Sequence, residues 1–298
     1  MEDPGSVDFD ALWDYGQPGR SEEVFREHLE RIPESHPARL ELLTQIARAQ
    51  GLQRKFDQAH QTLDQVEARL GEEPSRLRVR YLLERGRVFN SSGRAPDAVP
   101  LFSQAAELAR QIGEDFYAVD AVHMLAITAP PDESLALNLQ AIELAEASDQ
   151  ERARGWLASL YNNTGWAYHD QGNYEQALDL FERALESRKA KGDREQTLIA
   201  AWCVARTLRS LNRLEEALAR QLDLEQEWER AGQSDGYVFE EIGECLLGLG
   251  RPEEARPYLT KAYERLGQDP WLSEQESGRL ERLKVLGSGA DDHKDPEA

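Results

Sequence analysis

The chain has 298 residues, with 35 Lys and Arg against 56 Asp and Glu, a formal net charge of -21. So acidic a chain disfavours nucleic acid or anionic lipid as partner, because phosphate binding relies on Lys and Arg. Two cysteines, Cys203 and Cys245, exclude a disulfide framework, and no apolar run reaches the ~20 residues of a membrane span.

In chain order, the first segment, MEDPGSVDFD, is acidic and lacks an apolar core, so no secretory signal and a cytoplasmic location are expected. FDALWDYGQPG makes a poor helix, whereas SEEVFREHLERI reads as one; residues 1–37 are therefore an arm and a capping half-repeat. From 38 to 266 a unit of about 39 residues recurs, marked by Ala59, Ala98, Ala136, Ala177, Ala217 and Ala255, at intervals of 39, 38, 41, 40 and 38. Twelve places before these markers stand Ala47, Gly86, Met124, Gly165, Ala205 and Gly243. Small residues there allow two antiparallel helices to approach closely. Leu43, Leu82, Tyr161 and Phe239, sixteen places before, continue the buried stripe of a first helix. Leu63 with Val66, Phe102 with Ala105, Phe181 with Ala184 and Leu259 with Ala262 give the buried face of a second.

Turns such as GRAPDA, GNYEQA, NRLEEA and GRPEEA place Gly or Asn where the first helix ends and acidic residues where the next begins. The third unit departs from this. Pro130 and Pro131 replace its glycine turn, and Asp120, Met124 and Gln140 fall at packing places. Residues 267–286 supply a final capping helix, and 287–298 an acidic, disordered tail. Both cysteines sit in amphipathic helices and read as small core residues.

Tyr161, Gly165, Tyr168, Gly172, Tyr174 and Ala177 carry a family resemblance: the chain resembles tetratricopeptide repeat proteins. Its longer period and the string Tyr161-Asn162-Asn163 are similar to kinesin light chain units. The resemblance implies an all-α fold, a right-handed superhelical solenoid of antiparallel helix pairs. It would hold about six repeats with capping helices at both ends, the first helices lining a concave wall. Such proteins scaffold many unrelated assemblies.

On that wall the spacing places Arg48, Arg87, Asn90, Asn162, Asn163, Trp166, His169, Trp202, Arg206 and Arg209, with Glu240, Glu241 and Glu244 in the sixth unit. Arginine forks suit carboxylates, Asn can pair with both groups of a peptide bond, and Trp offers flat apolar area. A non-enzymatic scaffold that binds a protein or peptide, acidic in character, is the leading expectation; the alternative for the same residues is a solvated helix face. Self-association through the FDALWDYG arm entering a neighbouring groove, and a ligand sensor around His123, are the rivals. The six histidines show no metal spacing, no phosphate-binding or nucleophile motif occurs, and no catalytic residue, metal or cofactor is expected.

Overall fold

Five of six helix pairs turn on one residue with positive φ, five places before the marker: Arg54 (61°), Gly93 (83°), Gly172 (77°), Asn212 (58°) and Gly250 (72°). The amide after each then donates back over the helix end. Lys55 donates to the carbonyl of Gln50, Arg94 to Phe89, Asn173 to Tyr168, Arg213 to Leu208 and Arg251 to Leu246, at 2.8–2.9 Å. That bond satisfies a carbonyl the helix leaves open and sends the chain back antiparallel.

The computed structural model describes residues 8–289, which are helical without a strand among them. The chain divides into two compact units, one ending at Leu160 and the other beginning at Tyr161. In unit 1 a single 3-10 turn, Phe9–Leu12, precedes α1 (Pro18–Arg31), α2 (Ala38–Leu52), α3 (Phe56–Glu67), α4 (Arg76–Ser91), α5 (Ala95–Gln111), α6 (Asp115–Thr128), α7 (Pro131–Ala147) and the short α8 (Glu151–Arg154). Here α2 pairs with α3, α4 with α5 and α6 with α7, while α1 covers α2.

Unit 2 takes in α9 (Leu157–Asp170), which starts just before the boundary, α10 (Tyr174–Lys191), α11 (Arg194–Ser210), α12 (Leu214–Arg230), α13 (Gly236–Gly248), α14 (Pro252–Leu266), α15 (Pro270–Gln275) and α16 (Ser277–Ser288). α16 packs on α14. The cap thus comprises two helices, and it reaches Ser288, closed by Gly289 at φ 69°. Residues 290–298 of the expected tail lie outside the described residues, as do residues 1–7 of the arm.

Close approach within a pair depends on the small residue. A Cβ added to Gly86 would lie 2.5 Å from the Phe102 ring, at Gly165 2.8 Å from Phe181, and at Gly243 2.5 Å from Leu259. Each partner stands four places after the marker and is fully buried, so the second helix presses its largest side chain into the space that glycine vacates. Ser21 and Phe25 repeat the marker and its partner on α1, both buried, which makes α1 the second helix of a half-repeat.

The third repeat corrects the expected register. Ala59, Ala98, Ala177, Ala217 and Ala255 are fully buried, but Ala136 is exposed. Asn138, Ile142 and Ala145 form the buried face instead, so Asn138 holds the marker's place. The residue twelve before it is Ala126, 2% exposed, and all six such positions are then Ala or Gly. The repeat's spacing is thus kept and its turn is what differs: Ala129 and Pro130 alone separate α6 from α7, both with extended ψ, and proline at the first helical position starts α7 at once. Met124 and Gln140 are half-buried, and Val122 rather than Asp120 continues the apolar stripe.

Candidate functional site

The anticipated wall residues fall into two groups, one in each unit. In unit 1, Arg48 of α2 bonds Glu84 of α4 at 3.2 Å, and Arg87 bonds the same carboxylate at 2.7 Å and Asp120 of α6 at 2.5 Å. Glu84 and Asp120 are 3% and 4% exposed, so the relay is a buried tie across three successive first helices. Burial opposes the charge on Arg87, yet Asp120 and Glu84 hold it well above the usual arginine range. Asn90, at the end of α4, is half-buried.

The arm lies on this same face. Asp10 reaches Arg80 of α4 and Arg152 of α8, and Trp13 donates its indole N–H to Gln45 of α2 at 2.9 Å. Insertion of the arm into a neighbouring groove is one of the rival expectations from the sequence; here the arm sits on the helices of its own unit.

In unit 2, α9 and α11 bring the remaining candidates together. Trp166 stands edge-on to Phe181 and His169, each with centroids 5.1 Å apart. It is 6.1 Å from Trp202, which is 6.1 Å from Tyr237 of α13. The result is a row of half-buried rings on three successive first helices. Asn163 is exposed beside the row; Asn162 faces Asn163 at 3.4 Å and takes the Cys203 thiol at 3.6 Å. His169 Nε2 meets Ser210 Oγ at 2.9 Å; burial, then the nearby Arg206, lowers its pKa. Burial pushes both the Cys203 and Cys245 thiols up to about 12, which makes them poor nucleophiles.

The unit 2 arginines are tied as well. Arg206 bonds Glu241 at 3.0 Å, and Arg209 grips it through two bonds of 2.6 and 2.9 Å. Burial pulls the Arg209 pKa down and the Glu241 bond more than restores it. Glu240 is held by Arg279 at 2.5 Å, and Glu244 by Arg282. The four arginines read as open donors for an acidic ligand are therefore partnered within the fold. A repeated rule underlies this: Arg48 and Arg206, eleven places before a marker, each bond the Glu fourteen places before the next one.

The sequence reading missed an apolar cleft of about 410 Å³ lined by Ile199, Trp202, Asp235 and Tyr237. Ile199 is 42% exposed, and the buried Trp202 indole nitrogen has no hydrogen-bond partner. Asp235 caps α13 through the Tyr237 amide at 2.8 Å, while burial raises its pKa. Ile199 and Tyr237 stand eighteen places before their markers, one helical turn ahead of the wall positions considered. Arg80 holds the same place in unit 1.

Family profiles described as tetratricopeptide repeat match residues 44–111 and 162–235, 123–190, and 238–265. No curated protein matches the sequence. Among solved structures, apo RapI superposes with a TM-score of 0.74 at 12% identity, over 92% of this chain and 79% of that one. The signal transduction ATPase PH0952 of Pyrococcus horikoshii, with its tetratricopeptide repeat sensor, gives 0.69 at 14% identity, over 95% of this chain and 43% of that one. A putative kinesin light chain repeat protein of Podosopora anserina gives 0.52 at 19% identity, over 67% of this chain and 99% of that one. At such identities the likeness is one of fold.

Proposed function

Since the chain belongs to the tetratricopeptide repeat family, we propose that it is a non-enzymatic interaction scaffold whose unit 2 binds a peptide segment of another protein across α9, α11 and α13. The observation that carries this reading is the open row Trp166, Trp202, Tyr237 with its cleft at Ile199. Half-buried rings and an exposed isoleucine offer apolar area to a ligand side chain. Asn163, exposed alongside, can pair with an extended backbone. Arg206 and Arg209 share the single carboxylate of Glu241, so they are tied to the fold and less available to a ligand than open donors would be. Apolar anchoring is the basis of recognition we propose, with an acidic character of the ligand as a secondary feature.

The test is a selection of random peptides on the immobilised full chain, followed by affinity measurement against the Ile199→Glu variant. Peptides that hold the wild type and lose at least tenfold on Ile199→Glu, with melting unchanged, support the site. Selected peptides that bind both chains equally would place recognition elsewhere.

A further inference from the structure

The arm is attached to unit 1 as a ligand is attached to a site. Besides the Asp14 backbone, whose N–H and carbonyl both bond Ser21 Oγ of α1 at 2.9 and 3.0 Å, its grip is made by side chains. Asp10 Oδ1 takes Arg80 Nη2 at 2.8 Å, and Oδ2 takes Arg80 Nη1 at 3.3 Å and the Arg152 guanidinium. Phe9 is 5% exposed. Trp13 bonds Gln45, stacks on Tyr15 with centroids 4.8 Å apart, and meets Phe25 edge-on at 5.0 Å; Arg48 stands over both the Trp13 and Tyr15 rings. A two-bond guanidinium–carboxylate pair fixes both position and orientation.

The receiving side is organised by residues that are not in the arm. Tyr117 takes a bond from Arg80 at 2.7 Å, and the Arg152 guanidinium carbon stands 3.8 Å from the centre of the Phe116 ring. Gln45 is held by Thr44 at 3.1 Å, and Arg48 by Glu84. Beside Asp10 a cavity of about 400 Å³ remains, lined in part by Arg76, Arg80, Tyr117 and Arg152, so the site is larger than the segment it holds. Burial pushes the Asp10 carboxyl up and the two guanidiniums overcome it, keeping its pKa below the usual aspartate value. Of the arm's carboxylates, Asp10 meets Arg80 and Arg152, whereas Asp8 and Asp14 accept backbone amides of the arm itself.

We propose that the face of α2, α4, α6 and α8 is a receptor for a short protein segment with a carboxylate three residues before a tryptophan. The arm is its resident occupant, and a partner segment of the same chemistry displaces it. This site lies in unit 1 and is independent of the unit 2 reading.

The experiment uses a fluorescent peptide of residues 8–17 and the full chain. The Asp10→Lys, Trp13→Ala double variant, whose arm can no longer compete, binds the peptide at least tenfold more tightly than the wild type. The same peptide carrying Asp10→Lys does not bind. Equal binding to both chains, or binding to neither, overturns the proposal. Should the double variant fail to fold, hydrogen exchange on the wild type decides. Arm amides that exchange while α2 and α4 stay protected mark a releasable occupant. Arm amides that exchange only with global unfolding mark a fixed cap and overturn it. A wild-type mass that doubles with concentration and reverts in the double variant assigns the arm to exchange between copies, which also overturns it.

Discussion

Unit 1 and unit 2 share one helix pair as their brick, yet their first-helix faces are used differently. In unit 1 the places one turn apart along α2, α4 and α6 carry Arg48, Glu84, Arg87 and Asp120, joined in a buried relay and roofed by the arm. In unit 2 the corresponding stretch carries Trp166, Trp202 and Tyr237, with the ion pairs gathered toward α13 and α16. The same backbone can thus present either a charged cradle or an apolar row, because only the small residue, its large partner and the turn are demanded by packing.

The most severe way to break the comparison is to remove the relay's shared carboxylate. Glu84→Ala leaves Arg48 with no carboxylate partner and Arg87 with Asp120 alone, in a buried setting where losing one partner of a pair typically costs about 3–5 kcal/mol. Denaturant unfolding should show that loss, and hydrogen exchange should confine it to unit 1. Uniform loss of protection across both units would mean that they do not unfold separately.

Overpacking comes next. Gly86→Leu and Gly165→Leu drive a side chain into the Phe102 and Phe181 rings respectively, at a cost of about 1–3 kcal/mol or more. The first should weaken unit 1 and the second unit 2. If either substitution were silent in thermal unfolding, the tight helix crossing would be wrong.

Most of this architecture was legible in the sequence. Gly165, Phe181, Gly172 and Ala177 are set by contacts inside one helix pair, within reach of a pattern. The third register was not legible from alanines alone, since Asn138, not an alanine, holds the marker's place, while Ala136 two residues before it is exposed. The arginines misled for a different reason. Arg48 bonds a residue 36 places away and Arg209 one 32 places away, so their partners belong to the next repeat and appear only once two repeats are aligned. The arm was the hardest part to read, because FDALWDYG has no periodicity and its anchors are scattered over α1, α2, α4 and α8.

Acid should separate the two faces. Asp10 has a lowered pKa in the folded chain, so its contribution is fully present above the unfolded value and is lost as pH falls through the folded one. Lowering the pH from about 5 to below about 3.8, the ordinary aspartate range, should raise exchange in the arm before the α9 and α11 amides respond. Simultaneous loss in both would remove the Asp10 grip as the arm's pH-sensitive anchor.

The smallest effect is also the cleanest comparison, since it concerns one backbone position in each unit. Arg54 and Asn212 both close a helix with φ near 60°, a conformation in which a Cβ crowds the backbone and which Asn tolerates better than other side chains. Glycine there removes the crowding at the cost of a more flexible unfolded chain. Arg54 is exposed, so its replacement disturbs little else. Arg54→Gly should therefore gain about 0.5–1 kcal/mol, whereas Asn212→Gly should gain less or nothing. Thermal unfolding of the two variants measures the difference directly. A larger gain at Asn212 would show that the unit 2 turn is the more strained of the two, and that the repeated helix end is not equivalent between the units.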